Sequence, residues 1–468
     1  MKQALIDVVV IGAGPAGMTA ATKAAQAGLS VVLLDEQDAA GGQIYRSITR
    51  TDARRLDLLG PDYAAGQSIA SALAASNVLH DTGAQVWQVT KDRTVHYVHR
   101  DHSKSLVARH IVLATGAMER PFPIPGWTLP GVMTAGAAQI LLKGSGTVPR
   151  QPVVLAGCGP LLYLLAWQYL RAGVAIRAIV ETNTAAHTWN AARHLPGALR
   201  GWPDLVKGMR LLRAIRNARV PVYKGVTDVR IEGESAAAAI SFTAKAKNHR
   251  IDAELILLHQ GVVPNMQITW SLRASHFWDA VQLCWVPKRT AVFELDVPDY
   301  FVVGDGGGIA GAKAAAAQGE ICALEILRRQ GKMSGNDFDY QVAKSRKQLS
   351  RYLHIRPFLD ALYRPSDANR IPADDVLVCR CEEITAGEIR QSVALGCIGP
   401  NQIKSFNRCG MGPCQGRFCG LTVTEIIARE RGVAPDTTGY YRIRPPIKPI
   451  TLGQLAAARE NEMNESNG

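Results

Sequence analysis

A glycine loop near the N-terminus, set between a strand pattern and a helix pattern, limits what this chain can fold into more than any other feature. Residues 5–11 (LIDVVVI) are an apolar, β-branched run, residues 18–28 read as a small-residue helix, and residues 29–35 (LSVVLLD) are a second apolar run closing on Asp35. Gly12-x-Gly14-x-x-Gly17 joins the first run to the helix. Gly12 permits the tight turn, Gly14 lets a pyrophosphate approach the backbone, and Gly17 lets helix and strand pack closely. The helix N-terminus, with Pro15 and Ala16, offers free N–H groups and the positive end of its dipole to phosphates. Asp35, followed by Glu36, stands where a carboxylate can bind an adenosine ribose. Packing glycines alone would explain a lone loop, but here strand, helix and acid all sit where dinucleotide binding needs them.

A second unit of the same design spans residues 152–181, with a strand (PVVLAG), a helical run (LLYLLAWQYLRAG) and a strand ending at Glu181. Its loop is incomplete. Gly157 and Gly159 keep the turn and the close approach, but Leu162 takes the third position, where a side chain should push the helix outward and crowd a pyrophosphate. Glu181 suits a ribose with free hydroxyls and disfavours a 2′-phosphate, so NADPH is the least favoured occupant. An empty remnant, another adenine nucleotide and NADH stay open. The chain has no C-x-x-C, which excludes disulfide reductase chemistry.

Three further motifs separate FAD from NAD in the first unit. Gly41-Gly42-Gln43 follows the second strand, Ala114-Thr115-Gly116 ends the strand of residues 107–116, and Gly304-Asp305 follows the strand YFVVGD ahead of an Ala-rich helix over 309–330. The set resembles the two-dinucleotide-binding-domain flavoproteins of the thioredoxin reductase and ferredoxin reductase type, an α/β fold. By that resemblance Asp305 hydrogen-bonds the FAD ribityl chain, Gln43 lies near the isoalloxazine, and the helix from about Gly308 turns its positive end to the flavin pyrimidine edge. For Asp305 alone, a helix N-cap is the plainer reading.

Composition narrows the function classes. Of 468 residues, 53 are Lys or Arg and 40 are Asp or Glu, a formal charge of +13, with 47% hydrophobic and 20% charged residues. Those values belong to a globular chain of two or three domains rather than a disordered one. The basic residues are spread without a stripe, which excludes nucleic-acid binding as the expectation and favours an acidic protein partner or simple solubility. The longest apolar stretch, residues 155–170, is broken by Gly157, Gly159, Pro160 and Gln168, too interrupted to span a bilayer. Peripheral membrane association stays open. No secretory pattern opens the chain, so a cytoplasmic protein is expected, its nine cysteines free thiols or metal ligands.

Six of those cysteines, Cys379, Cys381, Cys397, Cys409, Cys414 and Cys419, fall in one segment, VLVCRCEEIT to CGMGPCQGRFCG. Four thiolates from two loops fit a [2Fe–2S] cluster or a structural zinc, and C-x-C is less usual for zinc. Two quartets satisfy the spacing: Cys379, Cys381, Cys414 and Cys419 (C-x-C-x32-C-x4-C), or Cys379, Cys381, Cys409 and Cys414 (C-x-C-x27-C-x4-C). The segment is similar to bacterioferritin-associated-ferredoxin-like [2Fe–2S] domains, and that resemblance implies the first quartet, with Cys409 a packed thiol beside the cluster. Cys397, Cys158, Cys284 and Cys322 read as core thiols.

The order of FAD fold, incomplete second fold and cysteine module resembles the α-type subunits of heteromeric dye-linked amino-acid dehydrogenases. That group takes in the A-type polypeptide of octopine/nopaline oxidase, the α subunits of hydroxyproline and proline dehydrogenases, and the B-type polypeptide of hydrogen cyanide synthase. VIGAGPAG, GGQIYR, LATGAMERPFPIPGW, LLHQGVVPN, VVGDGGGIAGA and CRCEEIT to CGMGPCQGRFCG carry the resemblance across residues 5–430. It implies an oxidoreductase subunit that receives electrons from a β subunit resembling D-amino acid oxidase and passes them through FAD and [2Fe–2S] to an acceptor. Some relatives add a small γ subunit, FMN at the subunit interface or an adenine nucleotide in the second fold, and no residue here marks any of these. The implied division is FAD domain 1–126 and 289–330, second fold 127–288, linker 331–373, [2Fe–2S] domain 374–432 and extension 433–468, its tail from 456 frayed. A self-contained NADH:acceptor oxidoreductase is the alternative. No residue reads as acid, base or nucleophile: His259 and His354 lack partners at a telling spacing. The aromatic stretch 259–287, with Trp270, Trp278 and Trp285, reads as core or as a subunit interface.

Overall fold

The computed structural model describes residues 5–457; residues 458–468, which hold most of the expected frayed tail, lie outside them. Among the described residues, the first sheet sets five parallel strands in the order Leu79–Thr82, Val31–Asp35, Ile6–Ile11, His102–Leu113 and Tyr300–Val302. Val9 sits between Val32 and Ile111, and the middle strands are buried on both faces, as β-branched runs of a parallel sheet must be. The helix Pro15–Gln26 covers one face beside the helix Ala312–Arg329. His102–Leu113 is long enough for its first half to pair antiparallel with Thr94–His99.

A second parallel sheet runs Val222–Lys224, Ile176–Glu181, Val153–Cys158, Leu255–Gln260 and Val132–Thr134. The two halves meet at an antiparallel pair, Ala117–Glu119 with Val262–Pro264, so the chain crosses between them twice at one place.

Residues 331–373 fold into packed helices. Gly335–Leu353 lies along Ala312–Arg329, burying Val342 and Ser345, while Arg356–Leu362 packs on Ala185–Ala192 of the second half. The polar surface of these helices hides a narrow apolar stripe, which is why composition alone suggests a linker.

The cysteine module consists of a short strand pair, Leu377–Cys379 with Ile384–Thr385, and the helices Ala386–Ala394, Pro400–Asn407 and Gly420–Arg431. Its core is continuous with that of the first sheet: Val9, Val32 and Tyr300 belong to the same hydrophobic cluster as Val378, Ile389, Ile427 and Tyr441. Arg370, buried, pairs with Glu425 on the module and with Asp367 at 2.5 Å. The module is therefore fixed against the glycine-loop sheet rather than tethered to it. No helix among the described residues is long and apolar enough to cross a membrane.

Candidate functional site

The glycine loop closes as its sequence requires. Gly12 turns at φ +106°, and a Cβ there would lie 2.4 Å from the Ala114 carbonyl oxygen; one on Gly17 would lie 1.9 Å from the Gly12 oxygen. At Gly14 the space is open, with only Gly42 Cα at 4.0 Å from the position of a Cβ. Gly42 packs against it, since a Cβ on Gly42 would lie 2.8 Å from Gly14 Cα, and the open side of Gly14 is the cleft that a pyrophosphate needs. Asp35 holds the loop, its Oδ2 accepting from Ala13 N at 2.5 Å and its Oδ1 from Gln37 N at 2.7 Å. Glu36 instead pairs with Lys448 from the C-terminal extension.

Gln43 lies beside the cleft. Its carbonyl accepts from Lys143 Nζ at 3.2 Å and its Oε1 from Arg46 Nη2 at 3.0 Å. Lys143 is buried without a carboxylate among its hydrogen-bond partners, and burial, with Arg46 close by, pushes its ammonium down to about 7. Nothing in the sequence singles out Lys143, since it sits in an ordinary amphipathic helix, Ala135–Ser145.

Thr115 Oγ1 donates to Asn265 O at 2.9 Å, which ties the Ala114-Thr115-Gly116 turn to the crossing between the halves. The Asp305 carboxylate folds the following loop over itself: its Oδ1 accepts from Ala310 N and Gly311 N at 2.8 and 2.9 Å. The helix therefore begins at Ala312, four residues beyond the expected start near Gly308. Gly304 N donates to Gln318 Oε1 at 2.9 Å, and Arg289 bridges Val302 O and Gln318 Oε1 beneath the loop. Burial lowers the Arg289 guanidinium to about 10, against the pull of Asp305.

The second loop has no such cleft. Leu162 is wholly buried and packs into the core. The obstruction comes from another strand: the His259 imidazole lies 2.8 Å from where a Cβ of Gly159 would stand. His259 Nδ1 meets Glu119 Oε2 at 2.9 Å, and Glu119 Oε1 accepts from Gly136 N at 2.5 Å. His259, expected to lack a partner, thus has one 140 residues away. Tyr363, from the 331–373 segment, reaches the same place, its carbonyl 3.5 Å from Cys158 Sγ and its ring 6.4 Å from that of Tyr163. The residues present at this loop do not fit a dinucleotide pyrophosphate.

In the module, the Cys379, Cys409 and Cys419 sulfurs lie within 4.8 Å of one another, all buried. Hydrogen bonds from Cys409 and then Cys419 draw the Cys379 thiol far below its ordinary value, while Cys409, donating to Cys379, is pushed up to about 12. Cys381, exposed, interacts with Cys414 and feels Cys379. Cys409 stands against Cys379 and Cys419, a placement that spacing alone left open between the two quartets. Cys397 is buried in the core apart from this group. A set of soft thiolate donors fits zinc or an iron–sulfur cluster.

Within 259–287, Trp285 is buried and half-buried Trp270 stacks on Tyr440 at 5.3 Å and meets Trp285 edge-on at 5.6 Å, while Phe277 is exposed.

Two family models match the chain: pyridine nucleotide-disulphide oxidoreductase over residues 6–319 and the sarcosine oxidase A3 domain over residues 375–459. The chain is 44% identical to the A-type polypeptide of an opine oxidase of Rhizobium meliloti, covering 96% of this chain and 87% of that protein. It is 29% identical to the HcnB polypeptide of hydrogen cyanide synthase of Pseudomonas protegens, covering 95% and 96%. Among solved structures, L-proline dehydrogenase from P. horikoshii superposes with a TM-score of 0.71 at 18% identity, covering 97% of this chain and 80% of that one, so the fold is shared across the module as well.

Proposed function

We propose, because this chain belongs to the family of opine oxidase A-type polypeptides and to the pyridine nucleotide-disulphide oxidoreductases, that it is the electron-transfer subunit of a heteromeric amino-acid or opine dehydrogenase. It is an oxidoreductase. FAD is the cofactor assigned to the first fold, and a [2Fe–2S] cluster is assigned to the cysteine group. When bound, a flavin exchanges electrons in pairs and such a cluster one at a time, so together they turn a two-electron oxidation into single-electron steps.

The residues divide the work. Gly14, with Gly42 packed against it, leaves room for the pyrophosphate, and the amides at the start of Pro15–Gln26 would hold it. Both Asp35 oxygens already accept an amide, which fixes them to receive ribose hydroxyls as second donors. Asp305, anchored through Oδ1, would keep its other oxygen for the ribityl chain. Gln43, held by Lys143 and Arg46, and the Ala114-Thr115-Gly116 turn frame the flavin ring. Cys379, Cys381, Cys414 and Cys419 are the proposed cluster ligands.

The observation that carries the reading is the shared core: the sheet bearing the glycine loop and the module bearing the cysteines form one packed unit, so two redox sites would be held at a fixed separation. The amino acid or opine would be oxidised on a β subunit resembling D-amino acid oxidase, with a small γ subunit in some assemblies, and the electrons would leave for a separate acceptor. His259 over Gly159 weighs against the alternative of a self-contained NADH oxidoreductase. Co-purification of the complex, followed by a screen of amino acids and opines with an artificial dye, tests the proposal. Turnover of an amino acid by this chain alone, or rapid flavin reduction by NADH, would overturn it.

A further inference from the structure

Tyr441 lies outside the cysteine motif, in the extension that follows the module, yet it closes the sulfur group. Its side chain is fully buried. A Cβ on Gly410 or Gly416 would lie 2.4 or 2.3 Å from its ring, so the backbone on both sides is pared down to admit it. Lys404 Nζ lies 4.8 Å over the same ring. Tyr440, next to it, sends its hydroxyl to the Gly416 carbonyl at 3.2 Å, an ordinary solution for a buried phenol. The Tyr441 hydroxyl instead donates to Cys409 Sγ at 3.4 Å and lies 3.9 Å from Cys419 Sγ.

A neutral thiol is a weak acceptor and would poorly repay the burial of a phenol. A thiolate sulfur is a charged acceptor, and donation to it is about twice as strong. Cys409 stands beside the proposed ligands, but Cys419 is one of them and would carry negative charge around a bound metal centre, within reach of the same hydroxyl.

We propose that Tyr441 is a positioning residue whose O–H, set between Cys409 and the proposed ligand Cys419, donates toward the Cys419 sulfur of a bound cluster and raises its reduction potential. This rests on the reading of that centre as redox-active. One-electron reduction of ferric to ferrous iron adds a negative charge to the cluster and its sulfurs, so a donor fixed beside them favours the reduced form. Five rings run back from this point, Tyr441, Tyr440, Trp270, Trp285 and Trp278, with successive centroids 5.8, 5.3, 5.6 and 5.8 Å apart. They hold Tyr441 rigidly against the rest of the fold.

The test is a redox titration of the full-length protein, followed by the electron paramagnetic resonance of the reduced cluster. With Tyr441→Phe and unchanged iron and sulfide content, the one-electron equilibrium moves about tenfold toward the oxidised form, 59 mV to the negative. Tyr440→Phe leaves the potential where it is. An unchanged potential in Tyr441→Phe overturns the proposal. Should that variant fail to hold iron, wild-type sequence grown with 3-fluorotyrosine carries the test: its more acidic hydroxyl moves the potential positive, and no movement overturns the proposal. Wild-type protein without iron and sulfide would sink the redox reading itself, a different outcome from a cluster that ignores Tyr441.

Discussion

His259 stands against Gly159 with its imidazole 2.8 Å from where a side chain would begin, so the second nucleotide fold keeps its strand, turn and helix but not the opening that a pyrophosphate enters. NADH is therefore expected to bind weakly or not at all to the purified protein, and to leave its flavin oxidised in a stopped-flow trace. Rapid bleaching of the flavin band by NADH would contradict this.

Glu119 keeps the imidazole in place. Both groups are largely buried, and Glu119 also receives the Gly136 amide. Removing one partner of a buried hydrogen bond strands the other, at a cost of about 2 kcal/mol. Glu119→Ala should lower the unfolding midpoint clearly, and Glu119→Gln, which keeps a hydrogen bond, should lower it less. Equal midpoints for Glu119→Ala and wild type would show that the pair contributes nothing.

The two roles of glycine in the first loop can be separated. Gly14→Ala places its methyl in open space at an ordinary backbone angle, so the apo-fold should survive while FAD retention drops. Gly17→Ala would put a Cβ 1.9 Å from the Gly12 oxygen and should cost the fold itself. The flavin-to-protein absorbance ratio, read beside apo-protein melting, distinguishes the two.

Acid should loosen the aromatic core through His276. Burial lowers its pKa to about 4, and it stacks on Trp270 at 3.8 Å. An unfolded histidine takes up its proton near pH 6.5. Between pH 6.5 and 4 the unfolded state therefore binds more protons, and stability falls as pH falls through that window. The fall in melting temperature from pH 7 to 5 should be shallower in His276→Phe; an identical fall would exclude His276 as its source.

Cys379 is common to both quartets compatible with the sequence and to the buried sulfur group. Cys379→Ser should reduce iron and labile sulfide to background, whereas Cys397→Ser, in the core away from the group, should leave both unchanged. Retention of full iron by Cys379→Ser would refute the proposed ligand set.

Much of the architecture is legible because its signals are local. The β-branched runs at 5–11 and 29–35, the glycines between them and the acid at their end describe a unit whose parts lie within about 30 residues of one another. The helix after Gly304 starts later than its alanine run suggests because Asp305 spends an oxygen on Ala310 and Gly311, a loop closure that the alanines conceal. Residues 331–373 look like a linker because only a thin stripe of their helices is apolar.

The sequence by itself determined the two nucleotide-type units, the gap in the second, and the concentration of thiols, since turn sterics and ligand chemistry act between near neighbours. Only the tertiary structure decided that His259 covers Gly159, that Lys143 reaches Gln43 across 100 residues, that Cys409 joins Cys379 and Cys419, and that Tyr441 touches their sulfur. Those meetings depend on strand register and on how the module docks into a shared core. Both are collective results of packing, which no local pattern of residues encodes.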